Sequence, residues 1–524
     1  YLLNQISRVK TLLIFSMKNL FLTLLFSNAI VCFSQNQTVG LFQYDSSAVN
    51  GYTLFSADEK TYLIDNCGYL INEWQSNFNA GNSAYLLENG DLLRTCRIQS
   101  SIFSGGGSGG RVELRDWYNN LKWSYNFSNI YYHQHHDIEP LDNGNILILC
   151  WKRYSSADAI LAGRNPNALI DNELWATYII EVEPIGTDSM KIIWEWNLWD
   201  HLVQDFDSTK NNFGIIENHP ELLNINYYNG NGKKDWMHCN SIDYNESLQQ
   251  IVIGSRSMSE FYIIDHSTTT TQASSSSGGI YGRGGDFLYR WGNPQVYNKG
   301  NSSNRRLFGQ HDVQWIGDGL VDEKKILIFN NGQSRGYSSI EIVNTQFQNS
   351  GYYQLSTMGT FIPDSSEWIY VADNPTDFFS SYISGAQRLK NGNTLICDGA
   401  HGTFFEIDKN KSQVWKYINP VVNNLVLNQG DSIPNSSNGW ANNVFRAERY
   451  YPEYSAFNGK NMMPLGPIEG YPFSYSCFMP TNIINQSKVY ENIEKALKDI
   501  DIVIATSARF RNKNIKHINL DDLK

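Results

Sequence analysis

The stretch YLIDNCGYLINEWQSNFNAGNSAYLLENGDLL, residues 62–93, decides the fold, because it holds both halves of a unit that recurs along the chain. Its first half is an apolar strand ending in an acid, then a turn, then a strand closing on tryptophan. The pattern returns as RVELRDWYNNLKW (111–123), YIIEVEP running on to IIWEW (178–196), FYIIDH running on to LYRW (261–291) and FFEIDKNKSQVW (404–415), with a degenerate copy SSIEIV (338–343). The second half, AYLLENGDLL (84–93), is a strand pair hinged on Asn-Gly. Its counterparts are HDIEPLDNGNILIL (136–149), NSIDYNESLQQIVIG (240–254), HDVQWIGDGLVDEKKILIF (311–329) and AQRLKNGNTLIC (386–397). Asn-Gly between alternating apolar runs signals a hairpin, since a two-residue turn of the favoured hand needs positive φ at both central positions.

Six such units predict an all-β chain folded as a six-bladed β-propeller. NGWANNVFRAERY (438–450) supplies a late strand expected to pair with the first outer unit, so that N- and C-terminal strands close the ring. A β-solenoid or a pair of sandwiches is the rival architecture. The Gly- and Ser-rich stretches at 104–110 and 272–285 fall between repeat parts and read as loops on a blade face.

Composition agrees with short, turn-rich strands packed by aromatics: of 524 residues, 40 are Gly, 14% are aromatic and only 18% are charged. A formal net charge of −11 with no basic stripe argues against a nucleic-acid partner. Met17 and Lys18 open MKNLFLTLLFSNAIVCFSQ, a basic start, a short apolar run and small residues, which reads as a secretory signal over 17–35. Periplasmic or secreted location follows as the expectation. Val31 before Cys32 makes a poor lipoprotein site, and no later segment approaches the roughly 20 apolar residues of a membrane span. Residues 1–16 read as translated upstream sequence, and 36–485 as the propeller. Residues 486–524 change character, to a helical period and then a buried-strand pattern. IVIATSARFR (502–511) resembles an edge of the knotted RNA methyltransferases without their cofactor-binding part, so this tail reads as foreign and no function is drawn from it. Seven cysteines with no CxxC pair argue against zinc; a disulfide is permitted by the compartment but not assigned.

Three inner strands in succession begin with histidine: His135 and His136 in HQHHD, His238 in WMHCN, His311 in GQHD. The matching slots of the first and last hairpins hold Asn82 and Ser384. Inner strands of a propeller line its axis, so these imidazoles are expected to converge on one mouth of the channel. Arg256 follows the second strand of the His238 hairpin, where a tight return brings its guanidinium to the same place. Neutral imidazole attacks sulfur or phosphorus near neutral pH, and arginine with further histidine donors binds equatorial oxygens of an anionic tetrahedral centre. Such a cluster needs no metal and no cofactor. The chemical rival is a metal held by these histidines with Asp137 or Asp312. His133, His201, His219, His266 and His401 have no repeat partners and read as structural, while His517 lies in the tail.

WMHCNSIDYNESLQQIVIGSR (236–256), DHSTTT (265–270) leading to LYRWGNP (288–294), LFGQHDVQWI (307–316) followed by ILIFNNG (326–332), and SGAQRLKNGNTLICDGAHGTFFEID (384–408) together resemble the bacterial aryl-sulfate sulfotransferases, over roughly residues 60–452. The resemblance implies a six-bladed propeller acting outside the cytoplasm without a nucleotide sulfate donor. A sulfuryl group would pass from a phenolic sulfate ester to an acceptor phenol by a ping-pong route. His311 would be the nucleophile that is transiently sulfated. His238, Asn240 and Arg256 would bind the sulfuryl oxygens, and His136 or His135 would complete the shell, with the repeat register favouring His136. One histidine must also move the phenol proton, and the sequence leaves that choice open. Some members carry an N-terminal β-sandwich used in pairing; residues 36–61 are too few for one, so a homodimer stays an open expectation. A cysteine pair near the site in some members has no counterpart, and Cys239 has no obvious partner. The function of another class that the fold alone would support is a non-catalytic extracellular binding module, for which the axial histidines would be dispensable.

Overall fold

The structure, a computed structural model, describes residues 37–227, 233–348 and 352–470. The signal at 17–35 with Cys32, residues 1–16, and the tail at 486–524 with His517 lie outside the described residues.

Six antiparallel sheets form a six-bladed β-propeller, each named here from the axis outward. Blade 1 is Ala447–Tyr450, Tyr52–Ala57, Lys60–Asp65 and Leu70–Gln75; blade 2 is Ala80–Leu86, Leu92–Arg97, Gly110–Arg115 and Leu121–Asn126. Blade 3 is Tyr132–Pro140, Ile146–Ser155, Glu173–Ile185 and Ser189–Asn197; blade 4 is Cys239–Asn245, Gln250–Ser255, Glu260–Asp265 and Tyr289–Trp291. Blade 5 is His311–Trp315, Ile326–Asn330, Ser339–Val343 and Trp368–Tyr370. Blade 6 is Gly385–Arg388, Thr394–Asp398, Thr403–Ile407 and Gln413–Ile418, with Gly40–Tyr44 added outside. Blade 1 sets Tyr52 opposite Tyr450 and Phe55 opposite Ala447, while Gly40 lies opposite Ile418.

The tryptophan that ends the repeat unit explains why the blades stay together. Trp74, Trp123, Trp196, Trp291 and Trp415 are all buried, and each indole N–H donates to a carbonyl of the next blade. The acceptors are Asp116, Ser189, Gly285, Pro363 and Asn66, at 2.7–2.9 Å. A buried indole removes about 200 Å² of largely apolar surface from water, on the order of 5 kcal/mol before entropy is charged. The donated bond fixes the direction in which that gain is collected. Trp415 to Asn66 carries the latch from blade 6 to blade 1.

The hairpins are hinged differently from the expectation. In ENG, DNG and KNG only the glycine turns left-handed: Gly90, Gly144 and Gly392 have φ of 86°, 87° and 86°. Leu87, Leu141 and Leu389 each receive the glycine N–H and donate to the residue after it, giving three-residue turns with a glycine bulge. The side chains of Asn89, Asn143 and Asn391 accept the N–H two residues on, which holds the asparagine itself at negative φ.

Cys67 is disulfide-bonded, whereas Cys96, Cys150, Cys239 and Cys397 are buried free thiols. Thr177 donates its hydroxyl to the Cys239 sulfur at 3.1 Å. Among the described residues no helix is long and apolar enough to cross a membrane.

Candidate active site

The backbone at the mouth of the axis sets the register of the site. Asp137 Oδ2 accepts the N–H of Ile242 in blade 4, Ser241 Oγ that of Val313 in blade 5, and Asp312 Oδ2 that of Ala386 in blade 6. Asp137, Ser241 and Asp312 are therefore equivalent, and the slot just before them holds His136, Asn240, His311 and, in blade 6, Ser384. This corrects the expected alignment of three histidines. The blade 4 member of the slot is Asn240, and His238 enters from two residues upstream. The ladder shows how: Cys239 pairs with Ser255 and Ser241 with Gly254, so Asn240 bulges, while His238 turns left-handed at φ 49°.

His311 opens the inner strand of blade 5 and is 2% exposed. Its Nδ1 lies 2.8 Å from Asn331 Oδ1. The Asn331 amide nitrogen already donates to the carbonyls of Ser380 and Ile383, so its oxygen is the atom that must face the ring. An oxygen that only accepts requires the proton on Nδ1, which leaves a lone pair on Nε2. Burial, and then the charge on Arg256, hold the His311 pKa well below the usual histidine range. The ring is neutral at pH 7.

His238 makes a different pair. Its Nδ1 is 2.5 Å from Asp235 Oδ2, and the other carboxylate oxygen accepts the indole N–H of Trp151 at 3.0 Å. Burial pushes the Asp235 pKa up, but His238, His135 and Trp151 outweigh it and keep the carboxylate below its ordinary range. The His136 ring meets His238 edge to face at 4.7 Å between centroids. His136 and not His135 faces the cluster; His135 stands behind it, Nδ1 to Nδ1 at 2.8 Å, and stacks on Trp151 at 4.1 Å. Burial drives His135 down to about 3, and burial followed by the neighbouring His238 drives His136 well below its normal value.

The tight return expected for Arg256 is present, with its N–H on the His238 carbonyl at 3.2 Å and Ser257 N–H on Met237. Among the described residues no partner hydrogen-bonds its guanidinium, whose pKa burial lowers, so its N–H fork is uncommitted. Asn240 donates one amide N–H to the carbonyl of Gln310, next to His311, and retains a second donor.

The stretch 104–110 is more than a loop on a blade face. His136 donates its backbone N–H to the Gly107 carbonyl at 2.7 Å, and Asn82 donates to the same oxygen at 3.0 Å. A Cβ on Gly107, which has φ 79°, would overlap the His136 imidazole; one on Gly105 would come within 2.9 Å of Trp151. Three glycines in a row let the backbone lie directly on the rings.

Asp137 and Asp312 turn away from the imidazoles toward Arg446, each at 2.8 Å from its Nη2. The acids of HHD and QHD thus anchor Arg446, whose side chain is 9% exposed, with Tyr85 and Asp137 bonded at 2.9 Å beside it. Among the described residues no three His, Cys, Asp or Glu side chains gather as a metal would need. His133 is held between the hydroxyls of Ser108 and Ser128, His201 by Asp286, His266 by Glu181 and His401 by Asp398.

Sequence reasoning missed Asp235, Trp151, Asn331 and the glycine contact. Asn331 carried a signal, since FNNG ends the second strand of the His311 hairpin as GSR ends that of His238. Asp235 carried none, because a contact three residues away outside a helix has no periodic signature.

A family model described as Arylsulfotransferase (ASST) matches residues 45–431, most of the chain. No curated protein matches it. Similar solved structures include a protein of unknown function from Bacteroides caccae, at 10% identity over 76% of this chain and 98% of that one with a TM-score of 0.40. Others are a catalytically inactive virginiamycin B lyase from Staphylococcus aureus with quinupristin (9%, 73% and 89%, 0.33) and the β-propeller domain of Swd1 from Myceliophteria thermophila (10%, 74% and 91%, 0.36). Overlaps this loose bear on neither fold nor chemistry.

Proposed function

This chain belongs to the arylsulfotransferase family and is a sulfotransferase enzyme, and we propose that it moves the sulfuryl group by a ping-pong route through His311. The donor is a phenolic sulfate ester and the acceptor a phenol; no nucleotide donor takes part. The observation that carries this reading is the Asn331–His311 pair, which protonates Nδ1 and leaves Nε2 as a neutral nucleophile. Nε2 attacks sulfur in line with the departing aryl oxygen, the S–O bond breaks, and the group rests on His311. A second phenol then displaces it by the same path in reverse.

Arg256 supplies the charge that this step needs. Its free N–H fork takes the sulfuryl oxygens, with the spare N–H of Asn240 and the ring of His136 completing the shell, while His135 acts from behind by fixing His136. Donors already aimed at a developing charge in a water-poor site each contribute about 10²–10³ in rate. We also place the reaction in the periplasm or outside the cell. The disulfide at Cys67 supports an oxidising compartment.

The test mixes purified protein with 4-nitrophenyl sulfate, with and without a phenol acceptor. Nitrophenol release that depends on acceptor, with a sulfated acceptor as product, is expected. Sustained acceptor-independent release, or full transfer by His311→Ala, would overturn the assignment.

A further inference from the structure

Each imidazole at the mouth of the channel is defined by what its far nitrogen touches. His311 Nδ1 faces a neutral amide, Asn331, and His136 Nδ1 faces the buried ring of His135. His238 Nδ1 alone among these faces a carboxylate, Asp235, at 2.5 Å. That carboxylate is not loose, because Trp151 donates to its other oxygen at 3.0 Å and the same indole stacks on His135. His238 and Asp235 are 17% and 14% exposed, so the outer nitrogen of His238 is open to a bound molecule while the pair is largely screened from water.

The geometry points to Asp235 as the positioning residue that makes His238 the general acid and base of the transfer, with Trp151 holding the carboxylate in place. This rests on the reading of the site as a sulfuryl-transfer centre. A ring that must take up and return a proton needs its cation stabilised, and a carboxylate on the far nitrogen does this while fixing the tautomer. His136 is unsuited, since burial and its histidine neighbours hold it neutral. The charged and titratable groups facing His238 are Asp235 on its own segment, Arg256 on the return of its hairpin, His136 backed by His135 from blade 3, and His311 from blade 5. Asp235 is the one anion among them.

The steps balance. In the first, neutral His311 Nε2 gives its electron pair to sulfur, the S–O bond passes its pair to the aryl oxygen, and His238 Nε2 hands its proton to that oxygen. A neutral phenol leaves, with sulfated His311 and neutral His238 behind. In the second, His238 Nε2 takes the proton of the acceptor phenol, whose oxygen attacks sulfur, and the S–N pair returns to His311. His238 ends as an imidazolium beside Asp235, ready for the next donor.

A proton-transfer role shows itself in the leaving group. Transfer by the full chain and by Asp235→Asn is compared on 4-nitrophenyl sulfate, whose anion leaves unaided, and on unsubstituted phenyl sulfate, whose oxygen needs the proton. The expected kcat/KM for phenyl sulfate falls about 10²-fold or more, while that for 4-nitrophenyl sulfate falls less than about fivefold. Asp235→Glu restores part of the phenyl sulfate activity. If Asp235→Asn does not fold, Trp151→Phe removes the second bond to the carboxylate and is expected to shift the donor ratio in the same direction. Equal loss on both donors, or no loss, overturns the role of Asp235 and leaves the sulfotransferase reading standing. Wild-type protein that transfers from neither donor defeats that reading itself.

Discussion

Replacing Asn331 by alanine tests whether the nucleophile is made by its tautomer. The side chain touches no substrate in the proposed reaction; it accepts from His311 Nδ1 and anchors itself on the carbonyls of Ser380 and Ile383. Without it, nothing forces the proton onto Nδ1, and a ring protonated on Nε2 cannot attack. The bond is neutral and buried, worth about 1–3 kcal/mol, which corresponds to a rate loss of about 5- to 150-fold. The assay is the pre-steady-state burst of nitrophenol from 4-nitrophenyl sulfate without acceptor, which reports sulfation alone. Burst rate should fall in that range while donor KM stays near wild type. Asn331→Asp separates chemistry from support: it keeps an acceptor for Nδ1 but loses both bonds to the carbonyls. Its thermal stability should drop as in Asn331→Ala, yet its burst should remain faster. A wild-type burst in Asn331→Ala, or equal losses in the two variants, would refute the reasoning.

Three further outcomes follow from the same geometry. Arg256→Lys keeps the charge but not the planar fork, and kcat/KM is expected to fall about 10²-fold in the transfer assay, since a lysine cannot chelate two oxygens of one group. Gly107→Ala places a methyl on the His136 imidazole at a left-handed position, so transfer should fall on the order of tenfold or more while circular dichroism keeps the β signature. Glu448, raised to about 7 mainly by burial, binds a proton in the fold that the unfolded chain has already released above the ordinary carboxyl range. Its stability contribution is therefore lost as pH rises toward 7 and beyond. Glu448→Gln should lose less stability than wild type between pH 5 and pH 8, by about 2 kcal/mol in urea titrations.

What could be read from the chain was what repeats. The tryptophan after each acid-turn-strand unit and the Asn-Gly hinges are periodic, so blade number followed directly. The tryptophan latch did not, because an indole N–H gives no hint of which distant carbonyl it will meet. In the hinges, the side chain of the asparagine closes a local turn and leaves only glycine left-handed, which composition alone does not separate from a two-residue turn. The histidines were legible as a set because each lies near the start of an inner strand. His238 lies two residues upstream of the slot that His136 and His311 occupy, since a bulge at Asn240 shifts the backbone without changing the apolar pattern that marks the strand. The partners on the far nitrogens were harder. Asp235 and Trp151 belong to different blades, and Asn331 reaches His311 only through the pairing of neighbouring strands. The run of glycines read as a spacer because close packing leaves no mark on a residue without a side chain.

The central claim is that His311 carries the sulfuryl group between donor and acceptor. Protein incubated with 4-nitrophenyl sulfate, quenched without acceptor, digested and analysed by mass spectrometry should show one added sulfuryl group on the peptide containing His311, and addition of a phenol before the quench should remove it. An unmodified His311 peptide during active turnover, or a sulfuryl group on His136 or His238 instead, would contradict the account.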